Sequence, residues 1–225
     1  MTPGKSALSL LASLALGLFA SGCAGTNDYG AKLPYDAWRL GFFAPTYMEV
    51  WIETADAMDT KGRWFRRAMS GVSSIHTPPN LKGNPNGWPK GPGDGAGKYV
   101  YGAELPLLIY VRWQSLAEPQ TYYAYIEIPE TARELMVEGE KAYCRGRGKW
   151  ITDYRENVTI GLAPGGIAKV WVNGPCLDAI EVSRVQGKVV TKGPFEGYSD
   201  GKYYRAPNPE SQAYIDKFGI PYDSW

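Results

Sequence analysis

Residues 158–172, VTIGLAPGGIAKVWV, decide the fold class of this chain. Two runs of mostly apolar residues, Val158–Leu162 and Ile167–Val172, flank the turn Ala163-Pro164-Gly165-Gly166. A Pro-Gly-Gly turn between two such runs is typical of a β-hairpin. The sequence therefore predicts two antiparallel strands here, and this is the clearest hairpin in the chain.

Other short apolar or aromatic runs, separated by turn residues, predict more strands. In Tyr47–Thr54 the apolar Met48, Val50 and Ile52 alternate with Glu49, Trp51 and Glu53, which is the period of a half-buried strand. Leu105–Trp113 is the most apolar of these runs and suits a central strand, with Pro106 at its start. The remaining predicted strands are Trp38–Phe43, Trp64–Met69, Tyr122–Ile128 (with Tyr, Tyr and Glu on one face) and Ile180–Val185, which can form a second hairpin with Lys188–Thr191.

Two segments carry helix signals. Pro129 and the acidic residues after it predict a short helix over Glu130–Val137, and Pro209–Phe218 reads as a C-terminal helix that Gly219 caps. Residues 193–208 are rich in Gly, Tyr and Pro and predict a loop packed on the surface. About eight short strands with two short helices favour a mainly β domain, either an antiparallel sandwich or an open barrel.

The composition narrows the possible functions. The 16 Tyr and 8 Trp among 27 Gly and 17 Pro indicate a β-rich, loop-rich protein. The chain has 24 Lys and Arg against 23 Asp and Glu, and without Lys5 of the leader the two counts are equal, so binding to nucleic acid through bulk positive charge is excluded. One His and three Cys cannot build a histidine-rich metal cage or a four-thiolate zinc site. The sequence predicts no metal and no cofactor.

The first 22 residues are typical of a signal peptide. Lys5 precedes the apolar run Ala7–Leu18, which at about 12 residues is shorter than the roughly 20 that cross a bilayer. The small residues 20–22 and Cys23 resemble the lipobox of bacterial lipoproteins, which implies cleavage before Cys23 and its acylation. The alternative is an ordinary signal peptide with a chance Cys. Residue 24 is Ala instead of Asp, which by the bacterial sorting rule favours the outer membrane. The expected organisation is a signal peptide (1–22), a lipidated tether (23–34) and one β-rich domain (35–225).

Two cysteines remain after Cys23. An even pair in an exported protein predicts a disulfide between Cys144 and Cys176, with two buried free thiols as the alternative.

The segment 83–98, GNPNGWPKGPGDGAGK, tempts a phosphate-loop interpretation because it ends in Gly97-Lys98. Position 92 is Pro where that motif needs Gly, and residue 99 is Tyr where it needs Ser or Thr, so the interpretation is rejected. Two hypotheses remain: a long mobile loop, or a protruding loop that binds a partner with Trp88 as its anchor.

Candidate catalytic residues do not assemble into a recognisable set. Gly-x-Ser-x-Gly is absent and the single His76 lies in a loop, so no nucleophile is paired with a base. Asp153 and Glu156 flank Arg155, which suggests a solvated turn. Spacing alone cannot pair the carboxylates, which are Glu127, Glu130, Glu134, Asp153 and Glu156. The sequence predicts a protein that is not an enzyme, with a hydrolase of unrecognised site as the minor alternative.

Small basic clusters offer a second candidate binding face. Arg66-Arg67 and the trio Arg145, Arg147 and Lys149 can meet an acidic partner or lipid phosphates. A solvated edge strand is the alternative explanation for both clusters.

Several short segments between about Tyr35 and Trp225 form a specific combination. They are Trp38-Arg39-Leu40-Gly41-Phe42, Gly87-Trp88-Pro89-Lys90, Val111-Arg112-Trp113-Gln114-Ser115, Gly161-Leu162-Ala163-Pro164-Gly165-Gly166, Gly174-Pro175-Cys176 and Gly219-Ile220-Pro221-Tyr222. On these segments the chain resembles the Domain of Unknown Function 2931 family of bacterial lipoproteins. The resemblance implies no active site, since the family has no assigned function. Such proteins are similar in kind to envelope lipoproteins that neutralise type VI secretion lipase effectors.

The leading hypothesis is an outer-membrane-anchored periplasmic lipoprotein that acts by binding a protein. In its most specific form it is an immunity protein whose partner is a secreted toxic effector. The alternative is an envelope structural or assembly lipoprotein. Nucleic acid is not an expected partner, the lipid anchor is the expected contact with the membrane, and the oligomeric state is left open.

Overall fold

The computed structural model describes residues 32–225, of which Leu33–Trp225 form one compact unit. The predicted signal peptide and the lipidation site at Cys23 lie outside the described residues. The unit contains twelve strands and two α-helices within the described range. In chain order these are β1 (Ala37–Phe43), β2 (Val50–Asp59), β3 (Trp64–Val72), β4 (Ala96–Tyr101), β5 (Pro106–Ser115), β6 (Gln120–Glu127), α1 (Glu130–Val137), β7 (Glu140–Cys144), β8 (Lys149–Asp153), β9 (Asn157–Ala163), β10 (Ile167–Gly174), β11 (Leu177–Gln186), β12 (Lys188–Val189) and α2 (Pro209–Phe218).

Two five-stranded sheets form a β-sandwich, as the sequence predicts. The first sheet has the order β11-β10-β9-β1-β4 and the second has the order β12-β6-β5-β2-β3. All neighbouring strands are antiparallel except β1 and β9, which are parallel. Strands β7 and β8 form a separate two-stranded hairpin.

The core lies between the two sheets, where alternate side chains of facing strands meet. Trp38, Leu40 and Phe42 of β1 are fully buried, and so are Ile109, Val111 and Trp113 of β5. The spacing of two follows from the pleat, which turns successive side chains to opposite faces. Burying each large apolar side chain contributes about 1.5–3 kcal/mol, so this double layer is the main source of stability.

Several predicted elements are confirmed. Strands β9 and β10 pair as the Pro-Gly-Gly hairpin, with Leu162 opposite Ala168. Strand β5 is the middle strand of the second sheet, and both helices have the predicted bounds. The capping signals of α2 also act as expected, since the Asn208 side chain accepts a hydrogen bond from the Ser211 N–H and Gly219 follows the last turn.

The predicted hairpin between Ile180–Val185 and Lys188–Thr191 is wrong. Residues Lys188 and Val189 pair with β6 of the second sheet and not with β11. The chain crosses between the sheets at Gly187, where a Cβ atom would lie only 2.6 Å from the Trp113 ring. The glycine therefore permits a close passage over the core and not a two-residue turn.

Part of the outer face of the second sheet is covered by residues 193–208, which form the predicted surface loop. Three of its backbone N–H groups donate to buried side chains of the sheet: Phe195 to Glu53 Oε1 at 2.7 Å, Tyr204 to Gln114 Oε1 at 2.7 Å and Asn208 to Glu49 Oε1 at 2.6 Å. The predicted alternation is correct for Val50 and Ile52, which are buried in the core between the sheets, but the opposite face is also buried. Glu49 and Glu53 are tolerated there because each accepts hydrogen bonds. Met48 precedes β2 and is buried in a separate cluster with Tyr47 and Trp225.

Candidate functional site

Trp88 does not project from the molecule. Its indole ring packs against Phe43 and Trp171, with ring centroids 5.6 and 5.5 Å away. Residue 161 lies directly beneath it, and a Cβ atom there would be 2.4 Å from Cζ3 of the indole. Gly161 therefore leaves the space that the tryptophan fills on the outer face of the first sheet. The expectation that Trp88 protrudes from the molecule is wrong, because its ring packs on the outer face of the sheet. Its role as a partner-binding anchor stays a prediction.

The rest of segment 83–95 is held to the same face by hydrogen bonds. The Tyr47 hydroxyl accepts from the Gly83 N–H at 2.9 Å, and the Trp225 indole N–H donates to the Pro85 carbonyl at 3.0 Å. Asn157 Nδ2 donates to Asp94 Oδ1 at 3.0 Å. Residues 96–98 then enter edge strand β4. Gly and Pro thus shape a covering segment and not a protruding loop.

The β7–β8 hairpin has the opposite character. Lys141 and Tyr143 are exposed, whereas Ala142 is half-buried and Cys144 is buried. Tyr143 lies directly opposite Trp150 in the register, and their ring centroids are 5.9 Å apart with the planes at 64°. The two rings keep 50% and 70% of their surface exposed. One face of the hairpin therefore presents an aromatic pair to solvent.

The turn and the flanks of this hairpin are basic. Arg145, Arg147 and Lys149 are all exposed, together with Lys141 on the aromatic face. The stretch from 141 to 149 contains no acidic residue. Among residues 32–225 no carboxylate lies within 4.0 Å of any of these four cations. The predicted basic trio thus surrounds the turn, where Gly148 adopts φ +63° to complete it.

Three links fasten the hairpin to the β10–β11 turn. The predicted disulfide between Cys144 and Cys176 is present, with Cα atoms 5.0 Å apart. Asp153 Oδ2 accepts a hydrogen bond from the Cys176 N–H at 2.7 Å. Arg155 pairs with Glu140 and donates from Nε to the Asp178 carbonyl at 3.2 Å. Arg155 is only 5% exposed, so the expected solvated turn around it is wrong.

Glu156 lies close to both regions. Burial raises the pKa of its carboxyl, and the negative charges of Asp153 and Asp94 raise this pKa further. The Arg147 guanidinium partly opposes the increase. Asp94 belongs to segment 83–95 and Asp153 to the hairpin, so this carboxyl experiences the field of both.

The remaining candidate residues are scattered. His76 is exposed in its loop, while Glu127 and Glu130 line one groove beside Arg133. Glu134 is exposed on α1. Arg66 pairs with Asp56 at 2.7 Å, which accounts for part of the other basic cluster. In the part of the chain that the structure describes, no three His, Cys, Asp or Glu side chains are grouped to hold a metal ion.

The family profile of proteins of unknown function (DUF2931) matches residues 24–223, almost the whole chain. The chain belongs to this family. No curated protein and no solved structure matches it. None of its described helices has the length and apolar character needed to cross a bilayer.

Sequence reasoning found the cations of the DUF2931 hairpin but missed Tyr143 and Trp150. The sequence does contain a strand signal here. The apolar residues Ala142 and Cys144 alternate with polar and aromatic residues, as they do in a strand with one buried face. The run is short and contains many charged residues, so no strand was predicted over 140–153. The geometry of the hairpin thus combines exposed cations and exposed aromatic rings on an element held by a disulfide.

Proposed function

We propose that this DUF2931 protein is a lipid-anchored protein of the outer membrane, facing the periplasm, that acts by binding a protein partner. One observation supports the binding role most directly: an exposed Tyr143–Trp150 pair on a fastened hairpin that also carries four exposed cations. We call the surface formed by Lys141, Tyr143, Arg145, Arg147, Lys149 and Trp150 the hairpin surface.

The residue types of the hairpin surface are those that dominate protein interfaces. Trp, Tyr and Arg are enriched among the few positions that carry most of the binding free energy. Burying Trp150 against a partner removes a large apolar area from water. The cations around it favour a partner with an acidic rim and make the association rate dependent on salt.

Rigidity strengthens the proposal. The disulfide and the Arg155–Glu140 pair already order the hairpin in the free protein. Binding then loses less conformational entropy than it would with a flexible loop, because the backbone is fixed before the partner arrives.

The most specific form of the proposal makes the partner a secreted toxic effector and the chain its immunity protein. The predicted export signal and the likeness in kind to effector-neutralising lipoproteins support this form. An envelope assembly role uses the same surface with a different partner, so the test must identify what is bound.

The test is a pull-down of the full chain from envelope extracts, with Trp150→Ala as the main variant. The control is Tyr101→Ala on edge strand β4, which removes an aromatic side chain of equal exposure, 70%, that is not part of the hairpin. We expect Trp150→Ala to weaken binding by about 2 kcal/mol, roughly thirtyfold, and Tyr101→Ala to leave it unchanged. If Trp150→Ala binds the partner with wild-type affinity, the proposal that the hairpin surface binds this partner is refuted.

A deletion strain separates the two forms of the proposal. If the chain is an immunity protein, cells that lack it become sensitive to siblings that secrete the effector. Full resistance of the deletion strain, with only envelope assembly proteins captured, contradicts the immunity form.

The anchor is tested separately with Cys23→Ser. We expect this variant to lose labelled palmitate and leave the membrane fraction. Labelling of Cys23→Ser at the wild-type level would contradict lipidation at this residue.

A further inference from the structure

The second sheet carries another recessed surface, which is independent of the hairpin. A groove of about 570 Å³ lies on its outer face, beside the covering segment 193–208. Its lining includes Tyr110, Arg112, Tyr123 and Tyr125, and residues 189–192 with Glu196 form its wall. We call this the tyrosine groove. We propose that it binds a neutral oligosaccharide built of pyranose rings.

The three tyrosines form a compact cluster that the sheet register sets. Tyr110 lies opposite Tyr125, and Arg112 lies opposite Tyr123, so all four side chains share one face of β5 and β6. The ring centroids of Tyr110 and Tyr125 are 4.9 Å apart, and those of Tyr123 and Tyr125 are 6.3 Å apart. Tyr125 keeps 59% of its surface exposed. A regular sheet holds these rings in place, so a ligand meets a preformed aromatic floor.

Arg112 supplies fixed polar groups without excess charge. Its Nε donates to Glu53 Oε2 and its Nη1 donates to Glu196 Oε1. Arg112 and Lys192 carry two positive charges beside the two negative charges of Glu53 and Glu196, so the formal charges of these four side chains sum to zero. A free anion gains little here because its attraction to Arg112 and Lys192 is offset by repulsion from the two carboxylates.

The chemistry of the groove matches the two faces of a sugar. A pyranose ring has an apolar C–H face, which can lie against a tyrosine ring, and an edge of hydroxyls that donate and accept hydrogen bonds. The phenol hydroxyls, the Arg112–Glu196 pair and Lys192 supply partners for that edge. A purely apolar ligand would leave these polar groups without partners, at a cost in binding free energy. The volume is within the range of roughly 300–1,000 Å³ that small-ligand sites occupy.

The test measures binding of chitotetraose, cellotetraose and maltotetraose to the full chain by titration calorimetry, in a zwitterionic detergent that has no sugar headgroup. We expect a Kd of about 0.1–1 mM for at least one of the three, as suits an open groove. Binding of chitotetraose alone indicates a preference for N-acetylated β-linked sugars, whereas binding of all three indicates recognition of the pyranose ring itself.

Matched variants assign the site. Tyr125→Ala should weaken binding at least tenfold, while Tyr125→Phe should retain most of it because the ring face remains. Tyr101→Ala on β4 is the control and should bind as the unchanged protein does. The inference is overturned if no oligosaccharide binds, if Tyr125→Ala binds normally, or if Tyr125 is required only for binding vesicles of anionic lipid. None of these results depends on the hairpin surface.

Discussion

Segment 83–95 and the β7–β8 hairpin each carry one tryptophan, but the two side chains have opposite surroundings. Trp88 is half-buried against Phe43 and Trp171, whereas Trp150 is 70% exposed beside Tyr143. The sequence of the Gly- and Pro-rich segment suggests a free loop, but the segment packs on the sheet. The basic cluster of the hairpin is compatible with a solvated edge strand, but the hairpin presents an ordered aromatic pair. Whether such an aromatic side chain is exposed to solvent therefore cannot be judged until the surface on which it packs is known.

The difference arises from what each ring finds below it. Beneath Trp88 lies Gly161, whose missing side chain leaves a recess on the sheet. The strand pairing of β7 and β8 directs Trp150 away from the half-buried Ile151 and toward solvent. The first ring is packed on the sheet, and the second is open to solvent. The predictions below test this division.

The largest expected effect concerns the disulfide, which fastens the hairpin and has no counterpart in segment 83–95. Replacing Cys144 and Cys176 together with Ala should lower the free energy of unfolding by about 3–4 kcal/mol, because the bond restricts a loop of 32 residues in the unfolded chain. Denaturant unfolding of the double variant should match that of the reduced wild-type protein. An unchanged midpoint in the double variant would show that the bond does not stabilise the fold.

The second prediction compares the two tryptophans directly. Trp88→Ala should lower the free energy of unfolding by about 3 kcal/mol, because it removes a packed ring from the outer face of the sheet. Trp150→Ala should change it by less than about 0.5 kcal/mol, as is usual for exposed side chains. Thermal unfolding of both variants under the same conditions is the measurement. Equal losses would erase the distinction between cover and binding surface.

The third prediction tests the recess below Trp88. Gly161→Ala should cost about 1–3 kcal/mol, because the new methyl group would meet the indole at 2.4 Å. Gly146→Ala in the hairpin turn is the control, since a Cβ atom there has no heavy atom within 4 Å. We expect the control to unfold at the wild-type temperature. If Gly161→Ala also unfolds at the wild-type temperature, the packing of Trp88 does not depend on the missing side chain at residue 161.

The smallest effect is expected at Glu156, where the fields of the two regions meet. Its folded-state pKa is raised by burial and by Asp153 and Asp94, so the charged carboxyl destabilises the folded state at neutral pH. Glu156→Gln should therefore raise the unfolding temperature by at most a few degrees at pH 7. The wild-type protein binds its proton more readily when folded, so the advantage of the variant should disappear as the pH falls from the folded pKa to the unfolded value near 4.3. Glu134→Gln, which changes an exposed carboxyl on α1, is the control and should unfold at the wild-type temperature at pH 7.

Much of the fold could be predicted because its signals are local. The β9–β10 turn, both helices and the alternation in β2 each depend on residues within a few positions of one another. The pairing of Cys144 with Cys176 followed from the cysteine count. Three strands were missed because β4 begins inside a glycine-rich segment and β7 and β8 carry few apolar residues.

The candidate site was predicted only in part. The sequence shows the basic residues Arg145, Arg147 and Lys149 as a cluster, but it does not show that Trp88 is packed on the sheet while Trp150 is exposed. Which tryptophan is exposed depends on contacts with residues far away in the chain, and these leave no local pattern.

The amino-acid sequence alone determined the fold class, the helix limits and the disulfide, since each follows from short-range periodicity, capping or residue inventory. Only the tertiary structure decided which faces are covered. Phe195 reaches Glu53 across 142 residues and Asn208 reaches Glu49 across 159. A strand sets which side chains point to which face, but whether a face meets water depends on the distant segment that packs on it. This is why Glu49 and Glu53 are buried while Trp150 is exposed.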